Sequence, residues 1–442
     1  MMKICASLGS ADDIDQDMLC PADIVEIRTD IFPSVPGNVL KKGQTGLISF
    51  KDGVIPSMIP AGWMADVGDS ERSAACGRAD TVITSHHDFT GTPAAGDVVK
   101  ELEAMDGDIV KGAYAVNTLN DAVELLNASL CVKRKHIIIG MGELGTVTRI
   151  RGNILGNEFA FAYVGNKTAP GQLSVSEMSE ISEDHMITGI LGSDIGYTRS
   201  PAMHNAAFAH SGIKGRYLVF DTPSDDLADG FITGFNIKGV NVTKPYKTSI
   251  MQFLDSCDRV SEDVGAVNTV LNDKGKLKGY NTDVDGIRAA FAMNNADVKG
   301  KRALILGSGG AARACAYFLT ENGCRTTVTG RNTEAMKKIA RDLPVTATER
   351  TSVAVKGYDI IVNCTPLNMK NDVSEYPVNI EQIVHGQIIF DMVYGMTHLT
   401  DAAGKRGCVI IRGEDMLAHQ GTRSFEIFTS ETIPFSVMRD AI

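Results

Sequence analysis

At roughly 100–200 residues per domain, a chain of 442 residues has room for two to four domains, each with its own core. Its net charge of −11 and its lack of a lysine- and arginine-rich stretch disfavour a nucleic-acid-binding protein. No apolar run reaches the ~18 residues that cross a bilayer, and the N-terminus lacks the basic region and apolar core of a signal peptide. The nine cysteines form no CxxC pair, and no His, Cys or carboxylate set has metal-ligand spacing. We therefore expect reduced thiols, a cytoplasmic location and no metal.

Short β-rich runs alternate with helical patterns along nearly the whole chain, which indicates a parallel α/β architecture. A polar stretch at 177–185 and the segment 285–301 are candidate domain boundaries. We predict three domains: residues 1–184, residues 185–287 rejoined by a C-terminal helix at about 414–442, and residues 288–413.

Polar motifs follow apolar strands in a regular order over the first 180 or so residues. They are EIRTD at 26–30, TSHHDF at 84–89, DIVK at 108–111, MGELGTVTR at 141–149 and APGQ at 169–172. This series resembles type I 3-dehydroquinate dehydratase, a (β/α)8 barrel whose active site lies at the C-terminal ends of the strands. The resemblance implies dehydration of 3-dehydroquinate to 3-dehydroshikimate.

Such a dehydration requires removal of a proton next to a carbonyl, and a lysine Schiff base makes that proton more acidic. Lys111, on an apolar strand where burial preserves a neutral fraction, is the predicted Schiff-base residue. His87 is the predicted general acid and base, oriented by Glu26. The predicted substrate-binding residues of this module are Arg28, Lys51, Arg149, Thr168 and Gln172.

This N-terminal module is abridged relative to the family. A few tens of residues are missing between Ile24 and His87, Lys51 replaces the family's arginine, and the EGG motif is reduced to Asp52-Gly53. The module is also short against the ~250 residues of a typical barrel. We expect trimmed helices and weakened activity. The alternative is a non-catalytic N-terminal scaffold that binds or orients the rest of the chain.

The remainder of the chain, residues 188–442, resembles shikimate dehydrogenase. The motifs are TRSPAMHN at 198–205, NVTKPYK at 241–247, GAVNT at 265–269, GYNTDVDG at 279–286 and MLAHQG at 416–421. The resemblance implies that Lys247 and Asp283 form the catalytic pair, since reduction of a ketone needs a proton donor or cation at the developing alkoxide. It also implies that the substrate's carboxylate and hydroxyls are bound by Thr198, Ser200, Thr243, Asn268 and Gln420.

A predicted strand at 302–306 runs into a glycine loop and then a helical stretch, which is the context of a dinucleotide-binding site. The next strand ends at Gly330 and Arg331 rather than at an acidic residue, which favours the 2′-phosphate of NADP. The alternative for Arg331 is a solvated surface residue. The predicted cofactor-binding residues are Gly307, Ser308, Gly309, Gly310, Ala311, Arg331, Asn332, Thr365, Met392 and Gly413.

The two resemblances describe successive steps of the shikimate pathway, because the product of the first module is the substrate of the second. The predicted fold is an abridged (β/α)8 barrel followed by a two-domain dehydrogenase with an α/β substrate domain and a Rossmann domain. The predicted partners are 3-dehydroquinate, 3-dehydroshikimate and shikimate, with NADP as the cofactor. No nucleic acid or membrane is expected, and the chain is a monomer or a homodimer. A catabolic quinate dehydrogenase is the rival within the same class.

Overall fold

The computed structural model describes residues 2–14, 18–167, 169–181, 184–223, 226–349, 353–366 and 378–442. By its internal packing the chain divides into two compact units. They are Met1–His185 with Val219–Ile237, and Met186–Leu218 with Lys238–Ile442. Within the described residues, no helix is long and apolar enough to span a membrane.

The first unit contains an eight-stranded parallel sheet that curls into a nearly closed barrel, in the order β7-β6-β5-β4-β3-β2-β1-β8. The strands are β1 Lys3–Leu8, β2 Ile24–Arg28, β3 Thr45–Ser49, β4 Met64–Val67, β5 Thr81–Asp88, β6 Ile109–Ala115, β7 His136–Met141 and β8 Phe159–Val164. At the seam between β7 and β8, the backbone N–H of Glu158 donates to the carbonyl of His136 at 3.1 Å. Asn157 adds two hydrogen bonds to the backbone of Ile138, at 2.8 and 2.9 Å.

The barrel helices are unevenly distributed, which confirms the predicted trimming. They are α1 Arg72–Ala75, α2 Ala95–Ala104, α3 Leu119–Cys131, α4 Thr146–Ile150 and α5 Val175–Glu180. No α-helix occurs in the described connections between β1 and β4. Buried loop side chains, among them Phe32 and Trp63, lie in these connections instead. Trp63 packs so closely on Gly46 that a Cβ there would lie 2.1 Å from its ring.

Side chains inside the barrel follow the two-residue period of a strand. An apolar cluster includes Ile24, Leu47, Ile83 and Ile109, one from each of four strands. Two positions further along, the same faces carry Glu26, Ser49, Ser85 and Lys111. The barrel interior is therefore apolar at its N-terminal end and polar where the strands approach their C-terminal ends.

The second unit begins with a six-stranded mixed sheet in the order β10-β9-β11-β13-β14-β12. Its strands are β9 Met186–Gly192, β10 Gly215–Asp221, β11 Gly239–Val242, β12 Ser256–Cys257, β13 Thr269–Asp273 and β14 Lys276–Tyr280. The division between the two units passes through β10. The helices along this stretch are α6 Ser200–Ser211, α7 Phe231–Gly234, α8 Arg259–Val264 and α9 Thr282–Met293.

The segment Val219–Ile237 packs with the barrel residues of the first unit. Arg151 is buried, and its guanidinium donates to the carbonyls of Phe235 at 3.2 Å and Asn236 at 3.2 Å. A Cβ on Gly234 would lie 2.5 Å from Leu126 of α3, so α7 approaches that helix closely. This part of the chain therefore folds against a module from which it is distant in sequence.

The third sheet is six-stranded and parallel, in the order β17-β16-β15-β18-β19-β20. Its strands are β15 Arg302–Leu306, β16 Arg325–Thr329, β17 Thr346–Ala347, β18 Ile360–Asn363, β19 Ile388–Asp391 and β20 Val409–Arg412. Its helices are α10 Gly310–Glu321, α11 Thr333–Asp342 and α12 His398–Lys405, followed by α13 Gly413–Thr429 and α14 Phe435–Arg439. The strand order reverses between β15 and β18, the point at which doubly wound sheets bind dinucleotides.

Candidate active sites

Lys111 lies inside the barrel and is 5% exposed, facing Asp66 of β4, which is 1% exposed. The two form an ion pair with an Nζ–Oδ2 distance of 2.5 Å, and Ser85 donates a hydrogen bond to the other oxygen of Asp66. Burial acts to raise the pKa of Asp66, but the charges of Lys111 and Lys51 outweigh it, and the pKa lies below its usual range. Asp66 is therefore an anion beside the predicted nucleophile. Asp66 was not identified from the sequence. It lies two residues after Met64, which packs in the barrel interior, so strand alternation would have placed both side chains on the same inner face.

The His87 side chain projects from β5, two residues beyond Ser85, which is in register with Lys111. Burial, followed by the positive charges of Lys111 and Lys51, lowers the pKa of His87 to about 3. The imidazole is therefore neutral near neutral pH and can accept a proton. It stacks on Phe89 with ring centres 5.9 Å apart.

Glu26 does not orient His87 as predicted. One of its carboxylate oxygens accepts from the hydroxyl of Ser7, and the other accepts from the hydroxyl of Ser49 at 2.6 Å. These serines lie on β1 and β3, the strands that flank β2, so the carboxylate is held by its immediate neighbours. In the described part of the chain, Glu26 and His87 form no hydrogen bond with each other.

The predicted cations of the barrel differ in their availability. Arg28 is engaged in a forked pair with Asp30, with distances of 2.7 and 3.1 Å. Arg149 is buried, its Nε has no hydrogen-bond partner within the described part of the chain, and burial lowers its pKa to about 10. An unpaired buried guanidinium is costly unless an anion completes it. Arg149 is therefore the better candidate to receive a substrate carboxylate.

The remaining predicted substrate residues of the barrel are Lys51, Gln172 and Thr168. Lys51 follows β3, and its backbone N–H donates to the Thr29 hydroxyl at 2.9 Å. Its positive charge acts on both Asp66 and His87. Gln172 is buried and accepts from the backbone N–H of Ala169 at 2.9 Å. Thr168 lies outside the described residues.

The second unit contains a cavity of about 850 Å³ that brings together every residue predicted for the dehydrogenase site. Substrate-side residues lining the cavity are Thr198, Ser200, Thr243, Lys247, Asn268, Asp283 and Gln420. Cofactor-side residues lining it are Gly307, Ser308, Gly309, Gly310, Ala311, Arg331, Asn332, Thr365, Met392 and Gly413. The cavity therefore lies between the mixed sheet and the carboxyl ends of the strands in the parallel sheet.

Lys247 and Asp283 are ion-paired within this cavity, with an Nζ–Oδ2 distance of 2.5 Å. The second oxygen of Asp283 accepts from the side-chain amide of Asn268 at 2.8 Å. Asp283 lies in the first turn of α9, where the helix N-terminus favours a negative charge. The lysine ammonium is thus held in place beside the space for a substrate.

A network of buried polar side chains holds Asn268 in position. The backbone N–H of Thr282 donates to the Asn268 side-chain oxygen at 2.7 Å, and the hydroxyls of Thr282 and Ser424 are 3.0 Å apart. Asn241 donates to Ser424 at 2.8 Å. Sequence reasoning missed Ser424, yet it lies one helical turn after Gln420 and so shares its face of α13.

Hydroxyls and backbone N–H groups meet at the start of α6. Thr198 Oγ1 lies 3.3 Å from both the backbone nitrogen and the hydroxyl of Ser200, which is the first residue of α6. A helix N-terminus presents N–H donors and a positive potential, which suits an anion. These two residues are therefore placed to hold a carboxylate.

The glycine loop is shaped by close approaches that exclude side chains. Gly307 has a φ of +119°, and a Cβ there would lie 3.0 Å from the carbonyl oxygen of Cys364. A Cβ on Gly310, the first residue of α10, would lie 2.9 Å from Cδ of Lys247. The Lys247 side chain therefore passes over the N-terminus of α10, and a helix N-terminus of this kind suits the phosphates of a dinucleotide.

The far end of the cavity carries Arg331, which is exposed and forms no ion pair with any described residue. Asn332 caps α11 by accepting from the backbone N–H of Ala335 at 3.0 Å. At the other end, the Thr365 hydroxyl donates to Asn363 at 2.6 Å. A Cβ on Gly413 would lie 2.6 Å from the carbonyl oxygen of Met392, so only glycine fits there.

A Lys–Asp pair that faces a glycine loop at the switch point of a parallel sheet defines a nicotinamide-dependent dehydrogenase. Family models agree: the shikimate dehydrogenase substrate binding domain matches residues 190–270, and the shikimate 5'-dehydrogenase C-terminal domain matches residues 413–442. The NADP(+) shikimate dehydrogenase of Moorella thermoacetica is 37% identical over 276 residues, which are 59% of this chain and 94% of the relative. This chain belongs to the shikimate dehydrogenase family.

Solved structures are similar to the dehydrogenase part of the chain, and a third family model matches the N-terminal part. The shikimate dehydrogenase of Aquifex aeolicus has a TM-score of 0.56 at 30% identity, covering 59% of this chain and 98% of that chain. The Thermus thermophilus enzyme, solved with NADP(H) and shikimate, has a TM-score of 0.54 at 30% identity, covering 58% and 98%. Residues 65–185 match the family model of type I 3-dehydroquinase. The chain therefore joins a type I 3-dehydroquinase module to a shikimate dehydrogenase.

Proposed function

We propose that the chain dehydrates 3-dehydroquinate to 3-dehydroshikimate and then reduces that product to shikimate with NADPH. The observation that carries the proposal is the presence of two lysine–aspartate pairs, a buried one in the barrel and a partly buried one in the dehydrogenase cavity. Lys111 supplies a nucleophile inside a barrel, whereas Lys247 supplies a proton donor above a dinucleotide loop. The two sites fit consecutive chemistry on one carbon skeleton.

In the barrel, the Lys111 ammonium gives up one proton, and the resulting amine attacks the ketone of 3-dehydroquinate. The ketone oxygen then leaves as water together with that proton and one further proton from Nζ, so that an iminium remains on Nζ. His87 is neutral and removes the proton from the neighbouring carbon, whose electrons move into the iminium. The same imidazolium then returns its proton to the departing hydroxyl, which leaves as water. Hydrolysis releases 3-dehydroshikimate and restores the lysine. Arg149 holds the substrate carboxylate throughout.

In the dehydrogenase, NADPH supplies the hydride that adds to the ketone carbon when the cofactor is bound. Lys247 donates a hydrogen bond and then a proton to the ketone oxygen, on which negative charge develops. Asp283 fixes the position of the ammonium, and Asn268 fixes Asp283. Thr198 and Ser200 bind the carboxylate at the start of α6.

The cavity fits NADP on the evidence of its own residues. Gly307 and Gly310 leave no room for a Cβ, so the backbone can approach phosphates, and α10 offers its N-terminus. Arg331 is a cation without an ion-pair partner among the described residues, at the strand end where an NAD-binding site would carry an acidic residue. These features support binding of a 2′-phosphate by Arg331.

The three-domain division at 184, 287 and 413 and a cytoplasmic location remain part of this proposal. The location is supported by all nine cysteines being free thiols. The chain is a monomer or a homodimer, and light scattering of the purified protein distinguishes the two.

The test is a coupled assay from 3-dehydroquinate to shikimate with NADPH or NADH, run alongside direct oxidation of shikimate and quinate. We expect turnover of both steps, preference for NADPH and preference for shikimate. Borohydride added with 3-dehydroquinate should attach the substrate skeleton to Lys111 and leave Lys111→Met unmodified. Shikimate formation from 3-dehydroshikimate but not from 3-dehydroquinate would mean that the barrel is a scaffold. Faster oxidation of quinate would identify a quinate dehydrogenase.

A further inference from the structure

We propose that Asp66 is the counter-ion of the protonated Schiff base at Lys111, and so a catalytic residue of the barrel. The inference rests on the proposed Schiff-base dehydration and adds a residue to it. Asp66 contacts the reacting nitrogen directly, at 2.5 Å, and lies in the part of the chain that matches type I 3-dehydroquinase.

The barrel geometry makes this contact specific. Glu26, Asp66, Lys111 and Phe161 come from β2, β4, β6 and β8, the alternate strands that contribute to a single layer of side chains in such barrels. Lys111 Nζ lies 4.2 Å from the centre of the Phe161 ring on the side of β8 and 2.5 Å from Asp66 on the side of β4. Glu26 is a second buried carboxylate on these strands, and both of its oxygens accept from serine hydroxyls.

Charge conservation gives Asp66 its role. The ammonium of Lys111 and a ketone are converted to an iminium and one water, so the nitrogen carries one positive charge before and after the exchange. Asp66 therefore faces a cation in both states without moving. A charged iminium withdraws electrons from the neighbouring carbon far better than a neutral imine, and a buried cation needs a partner to persist.

Other titratable groups surround the pair from each adjacent element, and none replaces Asp66. Cys5 of β1 is buried beneath it, Glu26 of β2 is hydrogen-bonded to serines, and Lys51 and His87 add a positive charge and a neutral ring. The hydroxyl of Ser85 holds the second oxygen of Asp66 and so orients the carboxylate toward β6.

The experiment compares the wild type with Asp66→Asn and Asp66→Glu, measuring the pH dependence of dehydration and of borohydride trapping at Lys111. Without its counter-ion the iminium loses its proton at lower pH. Asp66→Asn should therefore lower kcat at least 100-fold at pH 8 and move the alkaline limb down by more than one pH unit, with trapping recovering toward acid pH. Asp66→Glu should restore the limb of the wild type at a reduced rate. Asp80→Asn is the matched control, because Asp80 is exposed at the start of β5, at the opposite end of the barrel.

Three outcomes overturn the inference: an unshifted alkaline limb in Asp66→Asn, a loss that is equal at every pH, or an Asp66→Glu variant that behaves like Asp66→Asn. Far-UV circular dichroism and protease resistance establish that each barrel is folded. If Asp66→Asn does not fold, the Asp66→Glu profile alone decides: an alkaline limb at the wild-type position with a reduced kcat supports the inference, and a limb moved down by more than one pH unit overturns it. Absence of trapping in the wild type would instead refute the Schiff-base mechanism itself.

Discussion

Replacement of Lys247 by methionine tests the reductive half of the chain most directly. Methionine retains most of the aliphatic part of the lysine side chain, whose Cδ would lie 2.9 Å from a Cβ placed on Gly310. The packing of the glycine loop is therefore kept. Only the ammonium that faces Asp283 is removed. Alanine would remove the stem as well and would mix a packing effect with the catalytic one.

The expected magnitude follows from the geometry of the pair. Loss of a positioned proton donor lowers rates by about 100- to 10,000-fold, which corresponds to ~3–5 kcal/mol of activation free energy. Removing one partner of a buried ion pair also destabilises a protein by about 3–5 kcal/mol. Asp283 keeps its hydrogen bond from Asn268 at 2.8 Å, so we expect the lower end of that stability range.

The assay is steady-state oxidation of NADPH by 3-dehydroshikimate, with kcat and KM determined for Lys247→Met, Asp283→Asn and the double variant. We expect the loss in kcat, with KM for NADPH within a few-fold of the wild type. The double variant should be no slower than Lys247→Met, because the two groups act as one unit. It should be more stable than the single lysine variant, because no unpaired carboxylate remains.

Two controls make the result interpretable. Lys276→Met removes an ammonium 3.0 Å from Asp255 in a pair whose lysine is 72% exposed, and it should change neither kcat nor stability measurably. Dehydratase activity of the same sample reports the amount of folded chain. A kcat for Lys247→Met within five-fold of the wild type, or a fully additive double variant, would refute the reasoning.

Three further predictions concern single residues. Arg331→Ser should raise KM for NADPH about 10- to 50-fold and leave the kinetics with NADH unchanged, because only NADPH carries the 2′-phosphate. The control is Arg341→Ser on the exposed face of a helix, which should not show this rise in KM. Equal losses with both cofactors would contradict a 2′-phosphate contact. Arg149→Met should lower dehydratase kcat/KM by about 30- to 150-fold. The urea midpoint of unfolding should stay the same or rise, because the substitution removes a buried guanidinium whose Nε has no hydrogen bond to any described residue. A lowered midpoint would indicate a structural role. Burial lowers the pKa of His204 to about 3, so its contribution to stability is complete above pH 6.5 and falls as pH drops from 6.5 toward 3, by about 2 kcal/mol at pH 5. The measurement is the urea concentration at which half of the dehydrogenase activity is lost, determined at several pH values between 7 and 5. This concentration should fall less with decreasing pH in His204→Phe than in the wild type, and an unchanged slope would contradict the prediction.

Much of the dehydrogenase site could be predicted from the sequence because its residues lie in short motifs with restricted backbone roles. Lys247 and Asp283 are 36 residues apart, yet each follows a strand of the same sheet, and the carboxyl ends of such strands meet at one edge. Gly307 and Gly310 were identifiable because only glycine tolerates the close approaches found there. The trimmed barrel helices were equally predictable, since a shortened sequence leaves too few residues for helical crossovers.

The partner of each side chain was decided by the tertiary structure alone. Lys111 and Asp66 are 45 residues apart and lie on β6 and β4, the two strands that flank β5, so it is the folded sheet that brings them within 2.5 Å. The order of the strands places Ser7 and Ser49 on either side of Glu26, and its carboxylate is held by them and not by His87. Strand periodicity in a sequence shows which side chains point inward. Which of them meet depends on how the sheet closes, because contacts across a barrel are set by strand tilt and not by distance along the chain.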